Sequence, residues 1–180
     1  MYKDKQLAIR PVEERDLPRL WELIYKDEAP EWKKWDAPYF PHKAIPYETF
    51  METRTDWIGC DDFWVITVED KVCGILSYYY EDAQQKWLEV GIVLHEAGNW
   101  SKGLGTRALT LWIEHLFQTL PTVRIGLTTW SGNARMIRVA EKLGMQMEGR
   151  MRKVRFHEGE YYDSIRMGIL REEWAALLSV

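Results

Sequence analysis

Cysteine is almost missing from this 180-residue sequence, which has only Cys60 and Cys73, 13 positions apart. That spacing excludes a disulfide framework and a CxxC metal or redox pair, and two free thiols suit a reducing cytoplasm. No apolar run approaches the roughly 20 residues that span a bilayer, so neither an integral membrane protein nor a membrane partner is expected. The opening MYKDKQLAIRP has no apolar h-region, so export through a signal peptide is not expected either. His42, His95, His115 and His157 are scattered, with no HExxH, HxE or EF-hand spacing, and no metal dependence is expected. Repeats, low-complexity tracts and Ser/Gly linkers are also missing. Residues 1–180 are therefore read as one domain, with its core at about 7–178.

Charge is present, but unevenly. The net −4 divides into 12 Lys/Arg against 20 Asp/Glu over residues 1–100 and 12 against 8 over residues 101–180. The first part would suit a cation and the second an anion, unless the division is scatter. Five of the ten tryptophans (Trp21, Trp32, Trp35, Trp57 and Trp64) fall in the first 64 residues. Arg150, Arg152, Lys153 and Arg155 lie along one strand-like segment with few aromatics between them. They look more like a solvated sheet face than a nucleic-acid platform, and no nucleic-acid partner is expected.

Periodicity orders the rest. Leu7–Val12 reads as a strand, and Asp16 as the cap of an amphipathic helix carrying Leu17, Leu20, Leu23 and Ile24. Residues 28–46 hold Pro30, Pro38, Pro41 and Pro46 and read as an ordered loop before a helix from Pro46 to Trp57. Phe63–Glu69, Val72–Glu81 and Trp87–Leu94 read as an antiparallel meander, the last two joined by the polar turn 82–86. A helix Gly103–Thr119, a strand Val123–Thr129 and a helix Asn133–Leu143 ended by Gly144 follow. Strands at 145–156 and 160–170 meet at His157-Glu158-Gly159, and Arg171–Leu178 closes as a helix. The class is α/β (α+β), a mixed sheet with helices on its faces.

The most informative stretch is Trp100-Ser101-Lys102-Gly103-Leu104-Gly105-Thr106, between a strand and a helix. Glycines let a ligand approach the backbone closely, and the free amides of a first helical turn attract an anion. Lys102 would add a point charge. A bland helix start remains open. A dinucleotide fingerprint fits the letters GxGxxA but not the context, because Glu96–Lys102 separates the loop from its strand and no acidic residue ends a second strand. A Walker loop lacks its GK[ST]. An acyl-CoA pyrophosphate site is the third reading.

That loop resembles the [QR]xxGx[GA] signature of the GNAT superfamily of N-acetyltransferases, with Trp100 at the Gln/Arg position. Asn133 to Met145 is similar to the family's Nxx(S/A)IxxxEKLGF segment. Ile9-Arg10-Pro11 with Asp16-Leu17, Glu148-Gly149, Gly159 to Asp163 and Glu172-Glu173-Trp174 resemble elements of its ribosomal-protein N-terminal acetyltransferase (Rim-type) branch. The resemblance implies a mostly antiparallel seven-stranded sheet with flanking helices, in which the fourth strand splays from the parallel fifth. It implies an acetyl-CoA-dependent transfer of an acetyl group to a primary amine. Ile92, Val93 and Leu94 would offer unpaired backbone groups to pantetheine, Trp100 to Thr106 would hold the pyrophosphate, and Asn133 and Arg138, with Lys142, would reach the same ligand. A plain N-cap for Asn133 and a solvated face for Arg138 and Lys142 stay open.

Attack on a thioester needs a neutral amine. At neutral pH roughly a tenth of α-amino groups are neutral but only about one in a few thousand lysine amines, so a base helps. Glu89, 14 residues before Gly103, lies where several family members carry their catalytic carboxylate, although a simple cross-sheet ion pair is the competing reading. Ala140 and Met136 stand where the family often has its acidic Tyr or Ser, which leaves Ser131 and Tyr78–Tyr80 as unranked substitutes. Trp32 and Trp35, beside Asp27, Glu28, Glu31 and Asp36, would receive a cationic acceptor, either a protein N-terminus or a small amine such as a polyamine. A CoA-binding regulatory module without catalysis is the rival reading. Assembly as a monomer or homodimer stays open.

Overall fold

The computed structural model describes residues 1–84 and 86–179. Gln85, within the expected turn 82–86, and Val180, the end of the expected domain, lie outside the described residues. Eight strands form one sheet in the order β1-β2-β3-β4-β5-β6-β8-β7. They are β1 Tyr2–Asp4, β2 Leu7–Pro11, β3 Phe63–Val68, β4 Lys71–Tyr80, β5 Trp87–Leu94, β6 Arg124–Trp130, β7 Gln146–His157 and β8 Glu160–Leu170. The helices are α1 Leu17–Ile24, α2 Tyr47–Thr53, α3 Leu104–Thr119, α4 Ala134–Lys142 and α5 Arg171–Leu178. The count exceeds the expected seven because β1, three residues long, pairs with β2 and has too few positions to show alternation.

Every neighbouring pair is antiparallel except β5 and β6, which α3 connects as the crossover that parallel strands need. Helix α3 presents Ala108, Leu109, Trp112, Ile113, Leu116 and Phe117 at three- and four-residue spacing, all buried against one face of the sheet. Leu88 and Val90 of β5 meet them there, with Ile92 and Leu94 packed alongside. The other face carries α1 and α2 through Leu17, Leu20, Ile24 and Phe50. Glu69-Asp70 and Glu158-Gly159, all at positive φ, give the tight hairpins that follow β3 and β7.

Three local expectations are corrected. Asp16 does not cap α1 by its side chain. Its carboxylate instead accepts Arg10 Nη1 and Nη2 at 2.6 and 2.8 Å and the Glu13 amide at 2.8 Å. The helix expected from Pro46 to Trp57 stops at Thr53, and a separate 3-10 turn covers Thr55–Trp57. Helix α4 starts one residue after Asn133, which caps it, and stops at Lys142, one residue short of the expected Leu143. Gly144, at φ +80°, donates to Glu141 O while Met145 donates to Ala140 O.

His95, just beyond β5, is 7% exposed and lies edge-on to Trp32 at 5.1 Å between ring centroids. Burial, with a smaller contribution from the Arg19 charge, pushes its imidazole down to about 3. The unfolded chain takes up that proton near the ordinary value of about 6.5, whereas the folded chain refuses it. Stability therefore falls on acidification below that value, with a slope of up to about 1.4 kcal/mol per pH unit. Urea unfolding between about pH 7 and pH 5 is expected to show stability falling more steeply on acidification in the wild type than in His95→Phe, the other titrating groups being common to both. Equal slopes would contradict the assignment.

Candidate active site

The β5–β6 ladder runs only through Trp87–Arg124, Leu88–Ile125 and Glu89–Gly126. Beyond it β5 stays with β4 as far as Leu94–Gly74, while β6 stays with β8 as far as Trp130–Ser164. The two strands thus part as a wedge, as the resemblance implied. The Glu81 amide bonds Trp87 O and the His95 amide bonds Cys73 O, so odd-numbered β5 residues direct their backbone groups at β4. Even-numbered Val90, Ile92 and Leu94 direct theirs into the wedge. Val93 does not share that role: its amide and carbonyl belong to the β4 side, and its side chain packs under α1. Leu94 O is engaged by Trp100 Nε1 at 2.7 Å, which ties the glycine loop to the strand end.

A cavity of about 590 Å³ occupies the wedge and runs along the N-termini of α3 and α4. Gly103 sits at φ +76°, ψ 0° immediately before α3, and the first intrahelical bond is from Arg107 N to Gly103 O at 3.1 Å. The amides of Leu104, Gly105 and Thr106 precede that bond, and all three residues line the cavity. Trp100, Ser101, Arg138 and Lys142 line it as well, but Lys102 does not and is exposed. Asn133 lines it with both side-chain polar atoms in use: Oδ1 accepts the Met136 amide at 3.1 Å and Nδ2 donates to Trp35 O at 3.1 Å.

The loop 28–46 closes one wall. Trp35 O also receives Trp130 Nε1 at 2.8 Å, and Tyr39 meets Trp130 edge-on at 6.0 Å. Of the four carboxylates expected there, only Asp36 lines the cavity. Its carboxyl is raised above the ordinary range by the protein packed around it, with Lys33 offsetting part of that effect, although its side chain stays exposed. Trp32 is buried, donates Nε1 to Leu23 O at 2.9 Å and turns only part of its ring to the cavity. Trp35 is more open, but its face is already covered by Arg135, whose guanidinium carbon is 4.0 Å from the Trp35 ring and 4.9 Å from Trp100. Arg155 likewise lies 5.0 Å from Tyr39 and 5.5 Å from Phe40. Of the two rings expected to receive a cationic acceptor, Trp32 is therefore largely buried and Trp35 already carries a cation of the protein itself.

Glu89 is 1% exposed at the last rung of the ladder. Oε2 accepts Thr128 Oγ1 at 2.8 Å, and Oε1 has Arg124 Nη1 at 3.7 Å and Arg166 Nη1 at 3.9 Å without a hydrogen-bond partner. Burial raises its carboxyl above the usual carboxylate range, against the Thr128 bond and the charges of Arg166 and Arg124. Thr128, unlike Glu89, lines the cavity. Ser131 Oγ is held by the Asp163 amide, and Tyr78 and Tyr80 pack on the α3 face, so none of these hydroxyls lines the cavity. Arg150 pairs with Asp163 and Arg155 turns into the cavity, so the basic segment of β7 is not one continuous solvated face. No sequence pattern singled out Thr128, Arg135 or Arg155, because the partners that give them meaning lie on remote elements.

The sequence profile of the acetyltransferase (GNAT) domain matches residues 6–146. The SPbeta prophage-derived uncharacterized N-acetyltransferase YokL of Bacillus subtilis (strain 168) is 28% identical over 141 residues, 77% of each chain. YdaF of the same strain, named provisionally as a ribosomal N-acetyltransferase, is 24% identical over 177 residues, covering 95% of this chain and 94% of its own. Among solved structures, spermidine N-acetyltransferase from Vibrio cholerae in complex with CoA and spermine shares the fold. It superposes with a TM-score of 0.77 at 19% identity, over 96% of this chain and 99% of that one.

Proposed function

The chain belongs to the GNAT acetyltransferase family and is an N-acetyltransferase, and on that premise we propose that it moves an acetyl group from acetyl-CoA to a primary amine by direct attack in a ternary complex. The observation that carries this reading is the single cavity that joins the α3 amides, the open edge of β5 and Thr128. The residues fit the nucleotide donor. The amides of Leu104, Gly105 and Thr106 and the positive end of α3 receive its diphosphate, with Arg138 and Lys142 on the flanking helix. Val90 and Ile92 offer backbone groups to the amides of its pantetheine arm, and Asn133 Nδ2 can exchange Trp35 O for the same arm.

Glu89 serves as the base. Its carboxylate has no direct opening to the cavity, so Thr128 Oγ1 takes the amine proton while passing its own to Glu89 Oε2. No Tyr or Ser stands at Ala140 or Met136 to protonate the departing thiolate, and water supplies that proton. Positioning of amine and thioester then carries much of the acceleration. The leading acceptor is a protein N-terminus, whose amine is more often neutral. A polyamine is the second reading, favoured by the Asp36 carboxyl in the cavity wall. A reducing cytoplasm, which preserves Cys60 and Cys73 as thiols, is the setting this reading assigns.

The test is CoA thiol release from acetyl-CoA against a panel of an N-terminal peptide amine, a lysine side-chain amine and spermidine. Turnover fastest with the peptide is expected at neutral pH. Fastest turnover with spermidine would select the second reading. Acetyl-CoA binding without any amine turnover would leave the CoA-binding module and overturn the proposal.

A further inference from the structure

Among the described residues four cations line the cavity, and three have a use there. Arg138 and Lys142 project from α4, beside the phosphate-binding amides of α3, and Arg135 is clasped by Trp35 and Trp100. The fourth, Arg155, arrives from β7, three strands from β5 and so about 14 Å across the sheet. Its guanidinium rests on the rings of Tyr39 and Phe40. Its Nε is buried with no hydrogen-bond partner, and among the described residues no carboxylate lies within ion-pair distance of it. Nε lies too deep for a ligand to reach, so the two Nη groups, which also have no hydrogen-bond partner among the described residues, are the donors left for one. Stacking fixes the plane of the fork and leaves its edge for a planar, two-oxygen anion.

We propose that Arg155 is a specificity residue that receives a carboxylate carried by the amine acceptor. This rests on the acetyl-transfer reading above and narrows its acceptor. Arg155 repels a polyamine, which is positive at every nitrogen, and pairs with an acceptor that bears an anion near its reacting amine. The carboxylate has two possible sources: the α-carboxylate of a free amino acid, or an acidic side chain following a protein N-terminus.

Matched acceptor pairs separate them. One arm compares alanine with alaninamide. The other compares a peptide amide beginning Ser-Glu-Glu with one beginning Ser-Gln-Gln, and spermidine is assayed beside both. Rates are compared per neutral amine. In the wild type, the carboxylated member of one pair is expected to exceed its neutral partner in kcat/KM by roughly 10- to 100-fold, and the arm that responds identifies the source. In Arg155→Met that ratio is expected to collapse to within about threefold, with KM for acetyl-CoA unmoved. Arg155→Lys, which keeps the charge but loses the fork, should fall between.

Equal wild-type rates within both pairs, spermidine as the best acceptor, or a raised KM for acetyl-CoA in Arg155→Met with the carboxylate preference intact would each overturn the inference alone. A wild type that acetylates no amine in the panel would overturn the acetyl-transfer reading and the inference with it. The wild-type ratios keep the proposal falsifiable even if Arg155→Met does not fold.

Discussion

Gly103→Val is expected to weaken acetyl-CoA binding by roughly 100-fold or more in a calorimetric titration, while the protein stays folded. The reason is conformational, not steric. A Cβ at Gly103 would meet nothing within 4 Å, so there is room for a side chain. The backbone is the obstacle, because φ +76° with ψ 0° is left-handed and an ordinary L-residue there costs about 1–2 kcal/mol, with β-branching adding more. Valine escapes that cost by rotating the peptide that precedes α3, and the amides of Leu104, Gly105 and Thr106 then no longer converge on one point. A hydrogen bond to a charged group is worth about 1.5–3 kcal/mol, so losing two of the three accounts for the expected effect. Helix α3 itself keeps its buried face from Ala108 to Phe117, so loss of ligand need not mean loss of fold. Gly103→Ala should fall between. An unchanged Kd for Gly103→Val would remove the diphosphate from this loop.

Glu89→Gln is expected to lower kcat by roughly 10²- to 10⁴-fold at neutral pH and to leave acetyl-CoA affinity near the wild-type value. Glutamine keeps the volume and can still meet Thr128 Oγ1, so the wedge keeps its shape. What is lost, on the proposed mechanism, is the negative oxygen that takes the Thr128 proton as Thr128 receives that of the amine. The pH profile supplies the sign. Burial holds the Glu89 carboxyl above the ordinary carboxylate range, so the enzyme gains its base, and its rate, as pH rises through that raised value. The acidic limb should therefore lie at higher pH than an exposed glutamate would give, and it should vanish in Glu89→Gln. If kcat stays within about threefold of wild type, Glu89 is only the cross-sheet partner of Arg124 and Arg166.

Elements that bury one face in short range were legible in the sequence. Strand β5 has the bounds expected for it, Trp87–Leu94, because its apolar positions lead directly into the core. Helix α4 and its Gly144 cap could be read for the same reason. The short β1 could not, since three residues define no period. Asp16 looked like a cap, but the buried Arg10 six residues earlier competes for its carboxylate with two hydrogen bonds. The site followed the same division. Gly103, Gly105 and Asn133 announced themselves by local chemistry. Arg135 and Arg155 did not, because an arginine on a solvated face and one stacked in a cavity have the same neighbours in sequence. Trp100 apart, their aromatic partners lie on the proline-rich loop 28–46, which long-range contacts with Trp130 and Asn133 draw across the wedge.

The opening scarcity keeps its meaning in the structure. Cys73 is buried, with its thiol pushed up to about 11 by burial and, less, by Glu96. Cys60 donates to Asp62 Oδ1, and its thiol is raised as well, chiefly by that bond. Neither cysteine lines the cavity, so neither is placed to carry the acetyl group as a thioester. The direct transfer proposed above makes no use of either thiol.

One measurement addresses that claim most directly. Mass spectrometry after a single turnover, with and without an amine acceptor, reports where the acetyl group goes. The expected result is an acetylated amine and free CoA in equal amounts when the acceptor is present, with the protein at its unmodified mass in both reactions. Acetyl-CoA that binds but yields no acetylated amine, or a protein that becomes acetylated before the acceptor is added and then passes the group on, would contradict it.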